Sequence, residues 1–126
     1  MRLSKILPLL KNIEELVIDE ESGFVEMWIR SQSEGDKYYH VYYNEDYNKF
    51  SCTCKGWVFR SWCKHLELAK WLLKHYDKIF RLLIHYAKEV TIYRKYEKIV
   101  AKLDETGRPR VYIEKWDKEL YEEIYG

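Results

Sequence analysis

All three cysteines of this 126-residue chain fall in one short stretch, FSCTCKGWVFRSWCKHLELAKW, which runs from Phe50 to Trp71. A histidine follows the last cysteine after one intervening residue. Three cysteines cannot all pair as disulfides within one chain. Hydrophobic residues make up 47% of the chain, so a core can form, although small domains often need a staple as well. The cluster therefore predicts a fold that is stabilised by a metal ion.

The spacing of the cluster fits four ligands around one ion. In a strand, side chains two positions apart point to the same side, so Cys52 and Cys54 present two thiolates to one point. An eight-residue loop then returns the chain to Cys63 and His65. Residues i and i+2 lie about 200° apart on a helix. We therefore expect Cys63 just before a helix and His65 in its first turn, with Ser61 as a possible N-cap.

Three sulfurs and one imidazole complete the tetrahedral coordination of a structural Zn²⁺ site, with one ion per chain and no open position for catalysis. Two alternatives are unrelated buried cysteines beside a surface histidine, and a catalytic Cys–His pair. The use of every cysteine at ligand spacing favours zinc over both. The sequence has no paired-carboxylate motif and no phosphate-cradling loop. We therefore expect a protein that is not an enzyme.

The segment CTCKGWVFRSWCKH resembles the SWIM zinc finger family, whose pattern is C-x-C, a variable loop and C-x-H. The resemblance covers about residues 37–75 and assigns Cys52, Cys54, Cys63 and His65 to the four ligand positions of the family. It implies a ββα zinc fold. SWIM modules occur in Mutator-type transposases, in Swi/Snf-type helicases and in small proteins that partner recombinase paralogues. The resemblance thus implies DNA binding or protein–protein interaction.

Hydrophobic periodicity predicts an α+β fold in which a hairpin and a third strand accompany several helices. The expected elements are a helix over 5–18, strands over 23–30, 37–45 and 46–54, a helix from 61 to about 89, a second helix over 92–103, a linker over 104–110, a short strand over 111–113 and a final helix over 116–125.

These elements group into three segments. We predict an N-terminal helical segment over 1–20, a SWIM-type zinc finger module over 21–76, and a C-terminal helical extension over 77–126. The expected fold is thus a small zinc-stapled β-hairpin and ββα module with flanking N- and C-terminal helices.

Charge is unevenly distributed, although the net charge is only +1. Residues 55–102 carry twelve Lys/Arg and four Asp/Glu, whereas the segments on either side are acidic. This asymmetry favours an anionic partner, most simply DNA held with little sequence preference. The alternative is a solvated polar face. The expected phosphate contacts lie near the zinc and along one face of the following helix: Lys55, Arg60, Lys64, Lys70, Lys74, Arg81 and Lys88.

Aromatic residues make up 17% of the chain, and several alternate along the predicted hairpin. Alternation puts Trp28, Tyr38 and Tyr42 on the side away from the core. We expect another part of the chain, or a second copy, to cover this side. Exposed aromatics would instead suit base stacking or a protein partner. A homodimer is a further possibility, because the apolar stripe over 69–90 has near-heptad spacing.

The N-terminal sequence MRLSKILPLLKN does not read as a secretion signal, because Lys5 and Pro8 interrupt its apolar run. No stretch approaches the roughly 20 apolar residues that span a bilayer. We therefore expect an intracellular protein without membrane association, in which the thiols stay reduced.

Overall fold

The computed structural model describes residues 3–125, without the side chains of Leu3 and Tyr121, so the outermost residues of the first and last predicted segments lie outside it. It is an α+β fold, as expected, built on one mixed sheet with the strand order β4-β3-β2-β1-β5-β6-β7. The strands are β1 (Ile13–Asp19), β2 (Phe24–Arg30), β3 (Tyr38–Asn44), β4 (Lys49–Cys52), β5 (Glu89–Arg94), β6 (Glu97–Leu103) and β7 (Pro109–Lys115).

All neighbouring strands are antiparallel except β1 and β5, which are parallel. The connection from β4 to β5 holds the helices α2 (Lys55–Arg60), α3 (Lys64–His75) and α4 (Phe80–Tyr86). The chain must cross from the edge strand β4 to β5 on the far side of β1, and a short turn can join only neighbouring antiparallel strands, so a long helical connection is needed. Two further helices lie at the ends of the chain: α1 (Leu3–Leu10) and α5 (Lys118–Tyr125).

The hydrophobic core lies on one face of the sheet. Along β2, Val25, Met27 and Ile29 are buried, while the residues between them are more exposed. The same alternation in β3 buries Val41 and Tyr43, as the hairpin pattern predicts. Helix α3 contacts both strands, and α1 contacts α3 and α4. Helices α1, α3 and α4 therefore pack together on this face of the sheet.

The apolar stripe predicted over 69–90 is buried inside the chain, with Ala69, Tyr76 and Leu83 all nearly inaccessible. The expected continuous helix is wrong, however. A 3-10 turn at Tyr76–Ile79 separates α3 from α4. It places the hydroxyl of Tyr76 beside Arg94 of β5 and Glu20, so this contact favours the break.

The predicted helix over 5–18 is also only partly right. Helix α1 ends at Leu10, where the side chain of Asn12 donates to the carbonyl of Pro8. The chain then continues as β1, which pairs with both β2 and β5. The spacing of Ile6, Leu9 and Ile13 is helical, but pairing on both sides of β1 overrides this local signal.

The second helix expected over 92–103 is wrong. Residues 89–103 form the hairpin of β5 and β6, joined at Lys95 and Tyr96. Tyr96 has φ 67°, which is a left-handed conformation. Hairpin turns of this kind usually carry glycine or asparagine at such a position, so the sequence does not indicate a turn here. The helical extension over 77–126 thus contains three strands. The single sheet draws strands from all three predicted segments.

The sheet face opposite the helices remains open at the hairpin. Trp28 and Tyr38 keep 45% and 44% of their surface exposed. The ring of Trp28 packs against the ring of His40 on the neighbouring strand β3. The expectation that another part of this chain covers these side chains is therefore wrong for both. Helix α3, which contacts both strands of the hairpin, packs on the face that carries the buried residues Val25, Met27 and Val41.

Candidate metal centre

Strand β4 and the starts of two helices deliver the four candidate ligands. Cys52 is the last residue of β4, and Cys54 immediately precedes α2. Cys63 is the N-cap of α3 in extended conformation, and His65 is the second residue of that helix. The expected placement of Cys63 and His65 is confirmed. Ser61 is not the N-cap, because it ends α2 in the left-handed region with φ 58°.

The four side chains converge on one buried point. The ligand atoms of Cys52, Cys54, Cys63 and His65 all lie within 4.8 Å of one another, and all four residues are buried. The Sγ of Cys52 lies 3.7 Å from Nδ1 of His65. In a tetrahedral zinc site, bond lengths near 2.3 Å to sulfur and 2.05 Å to nitrogen put these two atoms about 3.6 Å apart. The cluster therefore fits one metal ion.

The loop between the ligand pairs is packed tightly against them. A Cβ at Gly56 would lie 3.2 Å from Cβ of Cys63 and 3.7 Å from Sγ of Cys54. Phe50 makes edge-on contacts with Trp57 and Trp62 on the same loop. The absence of a side chain at position 56 thus lets the first turn of α2 approach the cluster closely.

The thiols influence one another because they are buried together. A hydrogen bond with Cys52 lowers the pKa of the Cys63 thiol; burial opposes this change, and His65 reinforces it. The same contact with Cys63, together with burial, raises the pKa of Cys52. One thiolate thus forms readily, whereas the next adds a negative charge to a buried site. A cation at the centre is the natural compensation for that charge.

A cleft of about 450 Å³ adjoins the cluster, and three predicted phosphate contacts line it. They are Lys55 and Arg60 of α2 and Lys64 of α3, all exposed. The Nζ of Lys64 donates to Oε1 of Gln32 over 2.8 Å. The structure thus brings together the three cations at the metal end of the predicted surface.

The remaining predicted contacts do not form one continuous ridge. Lys70 and Lys74 are exposed on α3, but Arg81 follows the 3-10 turn and lies on α4. Lys74 shares a second cleft with acidic side chains, including Glu20. Lys88 lies before β5, where its Nζ is 3.1 Å from Oε2 of Glu14. The ridge expected on one long helix is therefore divided.

The loop between β2 and β3 forms part of the cleft wall, which the sequence pattern did not indicate. Ser31, Gln32, Ser33 and Glu34 line the cleft opposite the helix starts. The hydroxyl of Ser31 is buried in this loop and accepts a hydrogen bond from the N–H of Glu34. In sequence this stretch is an ordinary polar hairpin loop, so only the folded chain assigns it to the site.

We found no match to this chain among protein-family models, among curated proteins or among solved structures. Within residues 3–125, no helix has both the length and the apolar character needed to cross a bilayer.

Proposed function

We propose that Cys52, Cys54, Cys63 and His65 hold one structural Zn²⁺, and that the surrounding SWIM-type module binds DNA with little sequence preference. The donor set supports zinc, since three thiolates and one imidazole suit a closed tetrahedral site. In this proposal the bound ion cross-links β4 to the starts of α2 and α3 and has no catalytic role. The protein is not an enzyme in this proposal.

The cleft cations are the observation that carries the DNA proposal. Zinc with three thiolates has a net charge of −1, and the three cations in the cleft exceed this charge by two. The carboxylate of Glu34 on the opposite wall lies 3.9 Å from Nζ of Lys37, so its negative charge is balanced by Lys37 and does not cancel the excess positive charge of the cleft. Positive charge gathered in one cleft is suited to contact with the phosphate backbone.

Binding measured against salt concentration tests this proposal. Three phosphate contacts give a slope of log affinity against log salt of about −2.7 on duplex DNA and about −2 on single strands. The double variant Lys55→Gln/Arg60→Gln should flatten the duplex slope by about two while retaining the zinc.

The double variant Lys70→Gln/Lys74→Gln removes the same charge from α3 and is the matched control. The cleft proposal predicts an unchanged slope for this control. A flattened slope in the control alone would assign binding to α3. Unchanged binding in both double variants would refute DNA contact through these predicted residues.

A protein–protein adaptor, such as a partner of recombinase paralogues, is the second candidate. The exposed side chains of Trp28 and Tyr38 on the open sheet face favour it. Large exposed aromatics are typical anchors at protein interfaces. Loss of a partner after Trp28→Ala, with DNA binding intact, would assign the interaction to this face.

A further inference from the structure

The seventh strand forms a long and open edge of the sheet. Every residue of β7 is exposed, and Val111, Tyr112 and Ile113 retain 44%, 61% and 57% of their surface. The opposite edge strand, β4, has only four residues. Exposed edge strands of this length and apolar character readily pair with another chain.

The backbone of β7 has a defined outward pattern. The N–H of Trp116 donates to the carbonyl of Tyr96, and the carbonyl of Arg108 accepts from the N–H of Asp104. In the register that pairs Tyr112 with Val100, the even-numbered residues of this strand therefore direct their backbone N–H and C=O groups towards β6. The N–H and C=O groups of Val111, Ile113 and Lys115 point away from the sheet.

We propose that β7 pairs with β7 of a second copy of this chain, antiparallel and centred on Tyr112. This register places Val111 opposite Ile113 of the other copy, and each pair exchanges two outward hydrogen bonds. The N–H of Lys115 reaches the carbonyl of Pro109 in the other copy. Proline lacks an N–H, so the pairing ends there. The two sheets become one sheet of fourteen strands.

Charge complementarity selects this register. Arg110 lies opposite Glu114 of the other copy, and the two-fold symmetry repeats the pair. Both pairs occupy non-hydrogen-bonded positions, where side chains approach most closely. Centring the pairing on Val111 or Ile113 would instead put Arg110 opposite Tyr112 or Trp116. Within its own chain Arg110 uses Nε to bind Asp104 at 3.1 Å, so the rest of its guanidinium remains for the partner.

Sedimentation equilibrium over a concentration series tests the pairing. The 15.5 kDa chain should approach twice that mass. Arg110→Glu and Glu114→Arg should each weaken the dimer by about tenfold or more, because two like-charge contacts replace two ion pairs. The double variant Arg110→Glu/Glu114→Arg should restore dimerisation. The reversal does not rebuild the Asp104 contact within the chain, so recovery reports the contact between copies.

A cysteine cross-link tests the register independently. Opposed Cα atoms at a non-hydrogen-bonded position lie about 4.5 Å apart, within disulfide range. Tyr112→Cys should therefore give a covalent dimer under mild oxidation. Arg110→Cys is the matched control, because the two copies of this position lie about 14 Å apart along the strands. A parent that stays monomeric, single charge variants that dimerise like the parent, or no cross-link with Tyr112→Cys would overturn the proposal. Melting temperature and zinc content establish that each variant is folded.

Discussion

Lys88 is tied to Glu14 through both backbone and side chain. The N–H of Lys88 donates to the carbonyl of Glu14 over 2.9 Å, and its Nζ lies 3.1 Å from Oε2 of the same residue. The other carboxylate oxygen accepts from Arg30 at 2.6 Å. Glu14 thus joins β1 to β2 and to the start of β5. Lys88, expected to contact phosphate, already has an anionic partner.

Replacing Glu14 should destabilise the sheet. Its side chain is only 10% exposed, whereas Arg30 and Lys88 are much more accessible and partly screened. We expect Glu14→Gln to lower the free energy of unfolding by about 1–2 kcal/mol. Urea denaturation at neutral pH measures this loss. Glu15→Gln, at an exposed position of the same strand, is the matched control and should change stability by less than about 0.5 kcal/mol.

The effect of Glu14 should depend on pH. Burial raises the pKa of this carboxyl, but hydrogen bonds from Arg30 and Lys88 outweigh burial and leave the pKa below its usual value of 4.5. A depressed pKa contributes stability above the unfolded-state value, and the contribution is lost as pH falls through the folded value. The stability difference between parent and Glu14→Gln should therefore shrink below about pH 4.5. A difference that stays constant down to pH 2 would contradict this origin.

Tyr76 should control stability at alkaline pH. Burial and then the hydrogen bond to Glu20 raise the pKa of its hydroxyl to about 12, although Arg94 opposes them. A raised pKa gives stability that is complete below the unfolded value of about 10 and is lost as pH rises through 12. Tyr76→Phe should lower the free energy of unfolding by about 1 kcal/mol at neutral pH. It should also reduce the loss of stability that the parent protein shows as the pH rises. Tyr47→Phe, at a 72% exposed position, should change neither the stability at neutral pH nor its loss at alkaline pH.

Three glycines provide a graded test of turn geometry. Gly23 has φ +67°, and a Cβ there would lie 3.0 Å from Oδ1 of Asp46. Gly107 has φ +81° with open space around it, and Gly35 has neither constraint. We expect Gly23→Ala to cost more than about 1–2 kcal/mol and Gly107→Ala about 1–2 kcal/mol, whereas Gly35→Ala should be neutral or slightly stabilising. Thermal melts compare the three, and equal losses would contradict the assigned turn conformations.

The ligand cluster could be predicted from sequence because its geometry is local. Cys52 ends β4, Cys54 follows two residues later with extended backbone, and Cys63 and His65 flank a helix start, so spacing alone brings each pair together. The hairpin of β2 and β3 was predictable for the same reason, since alternation and a polar loop specify it.

The second half of the sheet could not be predicted in this way. β5 is held by parallel pairing to β1, whose residues lie more than seventy positions earlier in the chain. The apolar residues over 92–103 have a spacing that is consistent with a helix, and the turn at Tyr96 carries no glycine that would indicate a hairpin. Long-range pairing decided between the two conformations. The division of the basic ridge could not be predicted for a similar reason. The 3-10 turn that divides it begins at Tyr76, whose hydroxyl contacts Glu20 and Arg94, both distant in sequence.

The metal should be required for the fold around the cluster. We expect one zinc per purified chain, and Cys63→Ser should lose it and destabilise β4, α2 and the start of α3 by several kcal/mol, because the ion links all three. Metal analysis and hydrogen exchange measure both effects. Ser61→Gly is the matched control in the same loop: glycine accepts the left-handed φ of 58°, so zinc and protection should persist. Full protection of this region after complete chelation would contradict a structural role for the ion.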